Sequence, residues 1–381
     1  MKERLMKFGP DFKIRRNVLL NPGPATTTDS VKMAQVVPDI CPREKEFGDV
    51  MQFIVDELTE LVANREEYTT VLFGGSGTAG VEAVLSSILT GKKLFVLNNG
   101  AYSERMCKIL RTYQADFIEW KSDFITAVDY DALRQELSRH PDVDYLCMVH
   151  HETGTGLLND LSEIGKICKE HAVELVVDAM SSFAAIPIDM PAMNIAFLIA
   201  SSNKNLQGMA GVAFVIAHRQ ALEKLKEIPA RSFYLDLYAQ HTYFEKTRQT
   251  RFTPPVQTLY ALKQAILETK EETLPIRYQR YTQSWETLTT GLRRLGFRFL
   301  LRDSDQSKLI TAIFEPDTKN YHFDTMHDFL YQHGFTIYPG KVSSYDTFRV
   351  ANIGAIDRTD ITEFLNVLQE YLEGMTRGEN S

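Results

Sequence analysis

The chain has 381 residues, 44% hydrophobic and 24% charged, with a formal net charge of -8. That much apolar material supports one large and one smaller domain, and the acidic balance excludes the basic face with which nucleic acids or anionic membranes are gripped. Four cysteines, Cys41, Cys107, Cys147 and Cys168, lie far apart and away from histidines at a zinc spacing, so they read as reduced thiols and no metal site is expected.

In chain order, residues 1–7 lack the apolar core and cleavage site of a secretory leader, and no run reaches the roughly 18 apolar residues of a spanning helix, so a cytoplasmic protein is expected. A leading segment over 1–30 contains Asn21-Pro22-Gly23-Pro24, which neither a helix nor a sheet interior tolerates, and it reads as a rigid lead-in turn. A large domain over 31–270 follows. It opens with a helical pattern through Phe53, Ile54, Val55, Leu58 and Leu61, then a strand over 69–73, the turn Gly74-Gly75-Ser76-Gly77-Thr78 and a helix from Ala79. Glycines let backbone amides approach an anion at a helix amino terminus, and Ser76 and Thr78 add hydroxyl donors. A phosphate cradle and a plain connecting turn fit this stretch equally well.

Strands over 94–97, 116–120 and 145–149 alternate with helices over 104–113, 130–139 and 161–171, the signature of a mostly parallel sheet. Polar residues collect at the carboxyl ends of the strands: Asn99 and Tyr102, then His150, His151, Glu152, Thr153 and Thr155, then Asp178 and Ser181. Sites of open α/β sheets lie there. Adjacent residues on a strand end point to opposite faces, so His150-His151 does not read as a metal pair. Tyr102, beside Gly100, suits either a core position or stacking on a flat ring.

The strongest pairing is Asp178, closing the apolar run Val173 to Val177, with Lys204, delivered by the second run Ala196 to Ala200 and the turn Ser201-Ser202-Asn203. An acid and an amine on one rim of a sheet are what pyridoxal phosphate requires: the lysine forms a Schiff base with its aldehyde, and the aspartate keeps its ring nitrogen protonated. Beyond a strand over 212–216 and a helix over 219–227, the stretch 232–252 shows weak periodicity. Helices over 256–268 and 276–295 lead to a smaller α+β domain over 271–381, with extended runs at 297–300, 309–314, 335–338 and 348–350 and helices near 323–333 and 359–372. The last residues, 377–381, read as a frayed end.

Taken in order, Asn21-Pro22-Gly23-Pro24, Gly75-Ser76-Gly77-Thr78, Asn99-Gly100-Ala101-Tyr102, Asp178-Ala179-Met180-Ser181-Ser182, Ser202-Asn203-Lys204, Tyr338-Pro339-Gly340-Lys341-Val342 and Phe348-Arg349-Val350-Ala351-Asn352-Ile353-Gly354 resemble the class V aminotransferases of pyridoxal phosphate fold type I. Each motif alone is weak; the ordered set spans nearly the whole chain. The resemblance implies an α/β large domain, with a mostly parallel seven-stranded sheet flanked by helices, and a smaller carboxyl-terminal α+β domain. It implies pyridoxal 5'-phosphate as cofactor, with Lys204 as its Schiff-base lysine and the base and acid of the proton shift. Asp178 then pairs with the ring nitrogen, Tyr102 and Met180 pack on the ring, and Ser76, Gly77, Thr78 and Asn203 bind the phosphate. Thr253 matches a threonine that reaches the phosphate held by the neighbouring subunit, which implies a homodimer with shared sites. Relatives carry a hydroxyl residue where this chain has Gly154, leaving Thr153 or Thr155 to contact the ring oxygen. Arg349 is the residue expected to bind substrate anions, because a guanidinium fork matches carboxylate and phosphonate oxygens.

Within the family the similarity is greatest to members that move the amino group of 2-aminoethylphosphonate to pyruvate, giving phosphonoacetaldehyde and alanine. The alternatives are transfer from alanine or serine to glyoxylate and, outside catalysis, a phosphate-binding module with the glycine loop as its only site. A lyase or desulfurase needs a mobile catalytic cysteine, which none of the four cysteines announces.

Overall fold

The computed structural model describes residues 16–318, 321–340 and 344–377. The arm before residue 16, Lys341 and Val342 of the turn motif, and residues 378–381 lie outside the described residues. A seven-stranded sheet is built from β1 (Tyr68–Gly74), β2 (Leu94–Asn98), β3 (Phe117–Lys121), β4 (Tyr145–Val149), β5 (Glu174–Asp178), β6 (Ile195–Ser201) and β7 (Val212–His218), in the order β1-β7-β6-β5-β4-β2-β3. Pairs β2–β3, β2–β4, β4–β5 and β5–β6 are parallel, whereas β7 runs antiparallel to both β6 and β1.

Successive side chains of a strand face opposite ways, so a sheet covered on both sides must be apolar at every position. The two resulting layers separate cleanly. Phe95, Leu97, Leu146, Met148, Leu175, Val177, Leu198 and Phe214 face one cluster; Leu94, Val96, Tyr145, Cys147, Val176, Phe197, Ile199 and Val215 face the other. Helices α1 (Lys45–Glu60), α4 (Tyr130–Arg139) and α5 (Leu161–Glu170) seal the first face, while α2 (Gly77–Ile88) and α3 (Ala101–Thr112) seal the second. Asp129 and Asp160 start α4 and α5 by accepting from backbone N–H groups of the first turn. Cys107, Cys147 and Cys168 are buried free thiols and Cys41 is exposed.

The weakly periodic stretch 232–252 holds a helix, α6 (Leu237–Thr247), that its residues do not announce. It buries Leu237, Gln240, His241 and Phe244, a helical stripe in which two of the four positions are polar. Gln240 is satisfied there by donating to Leu72 O at 3.0 Å and accepting from Arg251 N at 3.2 Å. Helices α7 (Val256–Glu272) and α8 (Leu274–Arg294) follow as the pattern predicts.

The smaller unit has an antiparallel sheet of β8 (Ile310–Phe314), β9 (Tyr338–Pro339) and β10 (Thr347–Ala351), ordered β8-β10-β9, with α9 (Phe323–Gln332) and α10 (Arg358–Arg377) packed on it. The run expected at 297–300 is not a strand: it makes a single bridge, Phe299 to Ile313. The run at 335–338 divides, because Phe335–Thr336 pairs in parallel with Val18–Leu19 while Tyr338–Pro339 pairs with β10. Val18 and Leu20 therefore sit in the carboxyl-terminal core beside Phe335, Phe348 and Phe364.

Two features decide stability. Arg277 on α8 is 1% exposed; Nε reaches Glu272 at 2.6 Å, and Nη1 donates to Asn205 O at 2.6 Å and Thr269 Oγ1 at 2.9 Å. Arg277→Ala removes these donors and opens a cavity, while Glu272 keeps Arg280 at 2.7 Å, so the unfolding free energy in denaturant titrations is expected to fall by about 2 kcal/mol. His150 and His151 are buried at the end of β4, and burial pushes their imidazolium pKa values down to about 3 and about 4. The unfolded chain takes up these protons below the ordinary value of about 6.5 and the native chain does not, so stability present above that pH is lost as pH falls. His150→Phe is expected to flatten the fall of unfolding free energy between about pH 6.5 and 4 by about 1.4 kcal/mol per pH unit; an unchanged slope would show that His150 already titrates normally.

Candidate active site

Four strand ends converge on one cavity of about 530 Å³. The turn after β1 brings Ser76, Gly77 and Thr78, the start of α3 brings Tyr102 and Arg105, the end of β5 brings Asp178 and Met180, and the turn after β6 brings Asn203 and Lys204. These elements meet because parallel strands all present their carboxyl ends to one edge of the sheet.

Asp178 is buried, and its Oδ1 accepts from Met180 N at 2.9 Å. Burial pushes its carboxyl up to about 6; the neighbouring Glu152 adds to the rise, while Arg105 and Lys204 oppose it. Lys204 Nζ donates to Pro22 O at 2.5 Å. Gly23, at φ +125°, lies so close that an added Cβ would come within 2.4–2.7 Å of Lys204 Cδ, Nζ and Cε. The turn that reads as a rigid lead-in is therefore also a wall of the site. At a second wall, a Cβ on Gly77 would stand 2.3 Å from Met180 Sδ, so the methionine side chain would have to shift. Ser76 occupies the N-cap of α2 without a capping bond from its side chain.

Tyr102 is held by a residue on a neighbouring loop. Glu152, fully buried, accepts from Tyr102 N at 3.1 Å and from Ser103 N and Ser103 Oγ at 2.8 Å each. Its carboxylate lies at the amino end of α3, where the helix dipole favours negative charge. Arg349 on β10 is likewise buried: Nε donates to Pro339 O and Nη1 to Thr153 O, both at 3.0 Å. Burial lowers its pKa, and the nearby Tyr102 hydroxyl opposes that lowering. Arg349 thus stands behind Tyr102, joining the smaller sheet to the loop after β4.

Not every expected residue lines this cavity. Thr153 is buried; among the described residues its Oγ1 has no hydrogen-bond partner, while its carbonyl accepts from Arg349. Thr155 Oγ1 donates to Glu152 O at 3.4 Å and accepts from Leu157 N at 3.3 Å, and the residue borders a second cavity of about 280 Å³ with Gly154, Glu152 and Gly100. Thr253 is exposed, on the chain between α6 and α7. Conversely, the structure adds Arg105 and the Pro22 carbonyl, gives Glu152 a positioning role, and brings His151 near enough for Lys204 to help depress its pKa. Arg105 follows Tyr102 at the i+3 spacing that puts two residues on one helix face, which was its only sequence signal.

Residues 32–361 match the family model described as "Aminotransferase class-V". The chain is 41% identical over 362 residues to a 2-aminoethylphosphonate–pyruvate transaminase from Klebsiella pneumoniae, covering 94% of this chain and 98% of that protein. It is 40% identical over 359 residues to a bifunctional phosphonoacetaldehyde hydrolase/aminoethylphosphonate transaminase from Clostridioides difficile, spanning 93% of this chain and 56% of that longer protein. Among solved structures, an alanine–glyoxylate aminotransferase from Nostoc sp. superposes with a TM-score of 0.88 at 23% identity, over 96% of this chain and 98% of that one. The motifs, the seven-stranded sheet and these matches agree: the chain belongs to the class V aminotransferase family.

Proposed function

We propose that this chain transfers the amino group of 2-aminoethylphosphonate to pyruvate, giving phosphonoacetaldehyde and alanine, with pyridoxal 5'-phosphate as cofactor. The observation that carries this reading is the convergence of Lys204 and Asp178 with the Ser76-Gly77-Thr78 turn on one cavity, in a chain 41% identical to a transaminase named for those substrates. The donor set suits the cofactor: an amine for its aldehyde, a carboxyl for its ring nitrogen, and glycine amides with hydroxyls at a helix amino end for its phosphate. Bound there, it supplies an aldehyde that condenses with amines and a protonated ring that draws electrons from the carbon bearing the amino group.

The chain's own residues do the rest. Asp178, whose carboxyl is pushed up by burial, gains most as an anion when a cation lies against it, so it holds the proton on the ring nitrogen. Lys204 Nζ would take a proton from the substrate carbon that bears the amino group and return it to the former aldehyde carbon on the other side of that nitrogen, acting as base and then acid. Tyr102 and Met180 give a flat ring apolar surfaces to pack on and Asn203 adds a donor; Thr153 and Thr155, outside the lining of this cavity, take no part in this reading. Arg349, already oriented by two backbone carbonyls, meets the phosphonate of one substrate and the carboxylate of the other with little further ordering.

The working form in this reading is a cytoplasmic homodimer. Phe233, 79% exposed, clusters with Phe252, with the Arg251 guanidinium over both rings, and Tyr234 stacks on Phe252 while its hydroxyl reaches Gly74 O at 3.4 Å. An exposed aromatic–arginine cluster has interface composition. It adjoins the glycine turn and Thr253, so a second copy seated there would bring its Thr253 towards this chain's phosphate site.

In a stopped-flow experiment with cofactor-loaded protein, 2-aminoethylphosphonate alone is expected to bleach the visible band much faster than alanine or serine, and pyruvate to restore it. Arg349→Ala is expected to slow both half-reactions roughly a hundredfold, the loss of charge-assisted bonds to each anion. Bleaching by serine or alanine but not by the phosphonate would move the function to the glyoxylate-using relatives. Gly23→Ala places a methyl group on Lys204 and strains a positive φ by about 1–2 kcal/mol; the variant is expected to fold yet to lose most borohydride-trapped cofactor at Lys204, read by peptide mass spectrometry.

A further inference from the structure

We propose that Arg105 is an anion-binding residue of this cavity and that, with Ser76 and Thr78, it takes the phosphate monoester of the cofactor. The proposal rests on the cofactor reading above and assigns a role to a residue that none of the sequence motifs covers.

Three observations converge on it. Arg105 lines the cavity, one turn of α3 beyond Tyr102, and its Nη1 donates to Thr78 Oγ1 at 3.2 Å. A hydroxyl that accepts in this way keeps one proton to donate, so Thr78 and Arg105 together present donors to the same oxygen-rich group. The guanidinium carbon lies 4.8 Å from the centroid of the Tyr102 ring, which holds the cation against an aromatic face. Finally, Arg105 stands beside the amino end of α2, where the helix dipole adds further positive potential, and no ion pair among the described residues involves it. A half-buried guanidinium and a helix amino end, side by side, both favour an anion between them. A phosphate monoester has the charge and the acceptor geometry for both.

The two arginines of the site then divide the anions. Arg349 is anchored from behind by Pro339 O and Thr153 O, on the side of Tyr102 that faces the smaller sheet. Arg105 is anchored on the glycine turn. One serves the exchangeable substrates and the other the resident cofactor.

The test compares two aldehydes that differ only in the phosphate. Cofactor-free wild-type protein, R105M and R105K are titrated with pyridoxal 5'-phosphate and with pyridoxal, following absorbance, with thermal unfolding of the cofactor-free chains run in parallel. R105M is expected to raise the dissociation constant for pyridoxal 5'-phosphate tenfold to a hundredfold, as loss of charge-assisted bonds predicts, and to leave that for pyridoxal unchanged; R105K recovers part of the loss. Equal weakening of both aldehydes would overturn the assignment, because Arg105 would then act on the ring through Tyr102. Unchanged cofactor affinity with a raised KM for 2-aminoethylphosphonate would also overturn it and move Arg105 to the substrate. A wild-type chain that binds neither aldehyde would overturn the cofactor reading and this assignment with it, whereas tight wild-type binding with an unaffected R105M overturns this assignment alone.

Discussion

Everything in the site follows from one constraint: charge brought to the rim of an apolar sheet is tolerated only when it is matched there. Asp178 ends a strand in which Leu175, Val176 and Val177 are buried hydrophobics, and burial there raises its carboxyl pKa because the position suits an isolated carboxylate poorly. Lys204 and Arg105 offset part of the penalty from across the cavity. Glu152 is matched differently, by the backbone N–H groups and hydroxyl at the start of α3. Arg349 is matched by two carbonyl oxygens. Asp178 is bonded within its own turn, by Met180 N, whereas Glu152 and Arg349 are matched in part by segments distant in sequence, the start of α3 and the carbonyl of Thr153.

The same logic explains what was legible in the sequence. The alternation of strands and helices was readable because strands buried on both faces are apolar throughout, and helices on one face carry a 3.6-residue stripe. Where the stripe is polar the reading failed: α6 buries Gln240 and His241, and the partners of Gln240 come from β1 and from Arg251 and cannot be inferred locally. At the 297–300 run the failure has the opposite sign. Apolar alternation is present, but pairing with β8 is confined to one bridge.

Site residues divided along similar lines. Ser76, Gly77, Thr78, Tyr102, Asp178, Met180, Asn203 and Lys204 stand at strand ends or in turns directly after them, and topology alone brings strand ends together. Arg105 lies a turn inside a helix and Glu152 points away from the cavity to cap α3, so their importance depends on packing between segments distant in sequence. Pro-Gly-Pro was read as a rigid turn, and it is one, but nothing in its residues says which side chain it lies against. Arg349 was singled out by its motif and sits one residue behind the cavity wall, touching Tyr102.

The leading segment has a mechanical meaning. Val18 and Leu19 are hydrogen-bonded into the carboxyl-terminal core beside Phe335 and Thr336, and within a few residues the same thread places Pro22 O and Gly23 on the amine of Lys204. The wall beside the reactive nitrogen and the strand paired with Phe335–Thr336 are thus one continuous stretch of chain, so the contact on Lys204 is anchored in the same apolar core that holds Phe348.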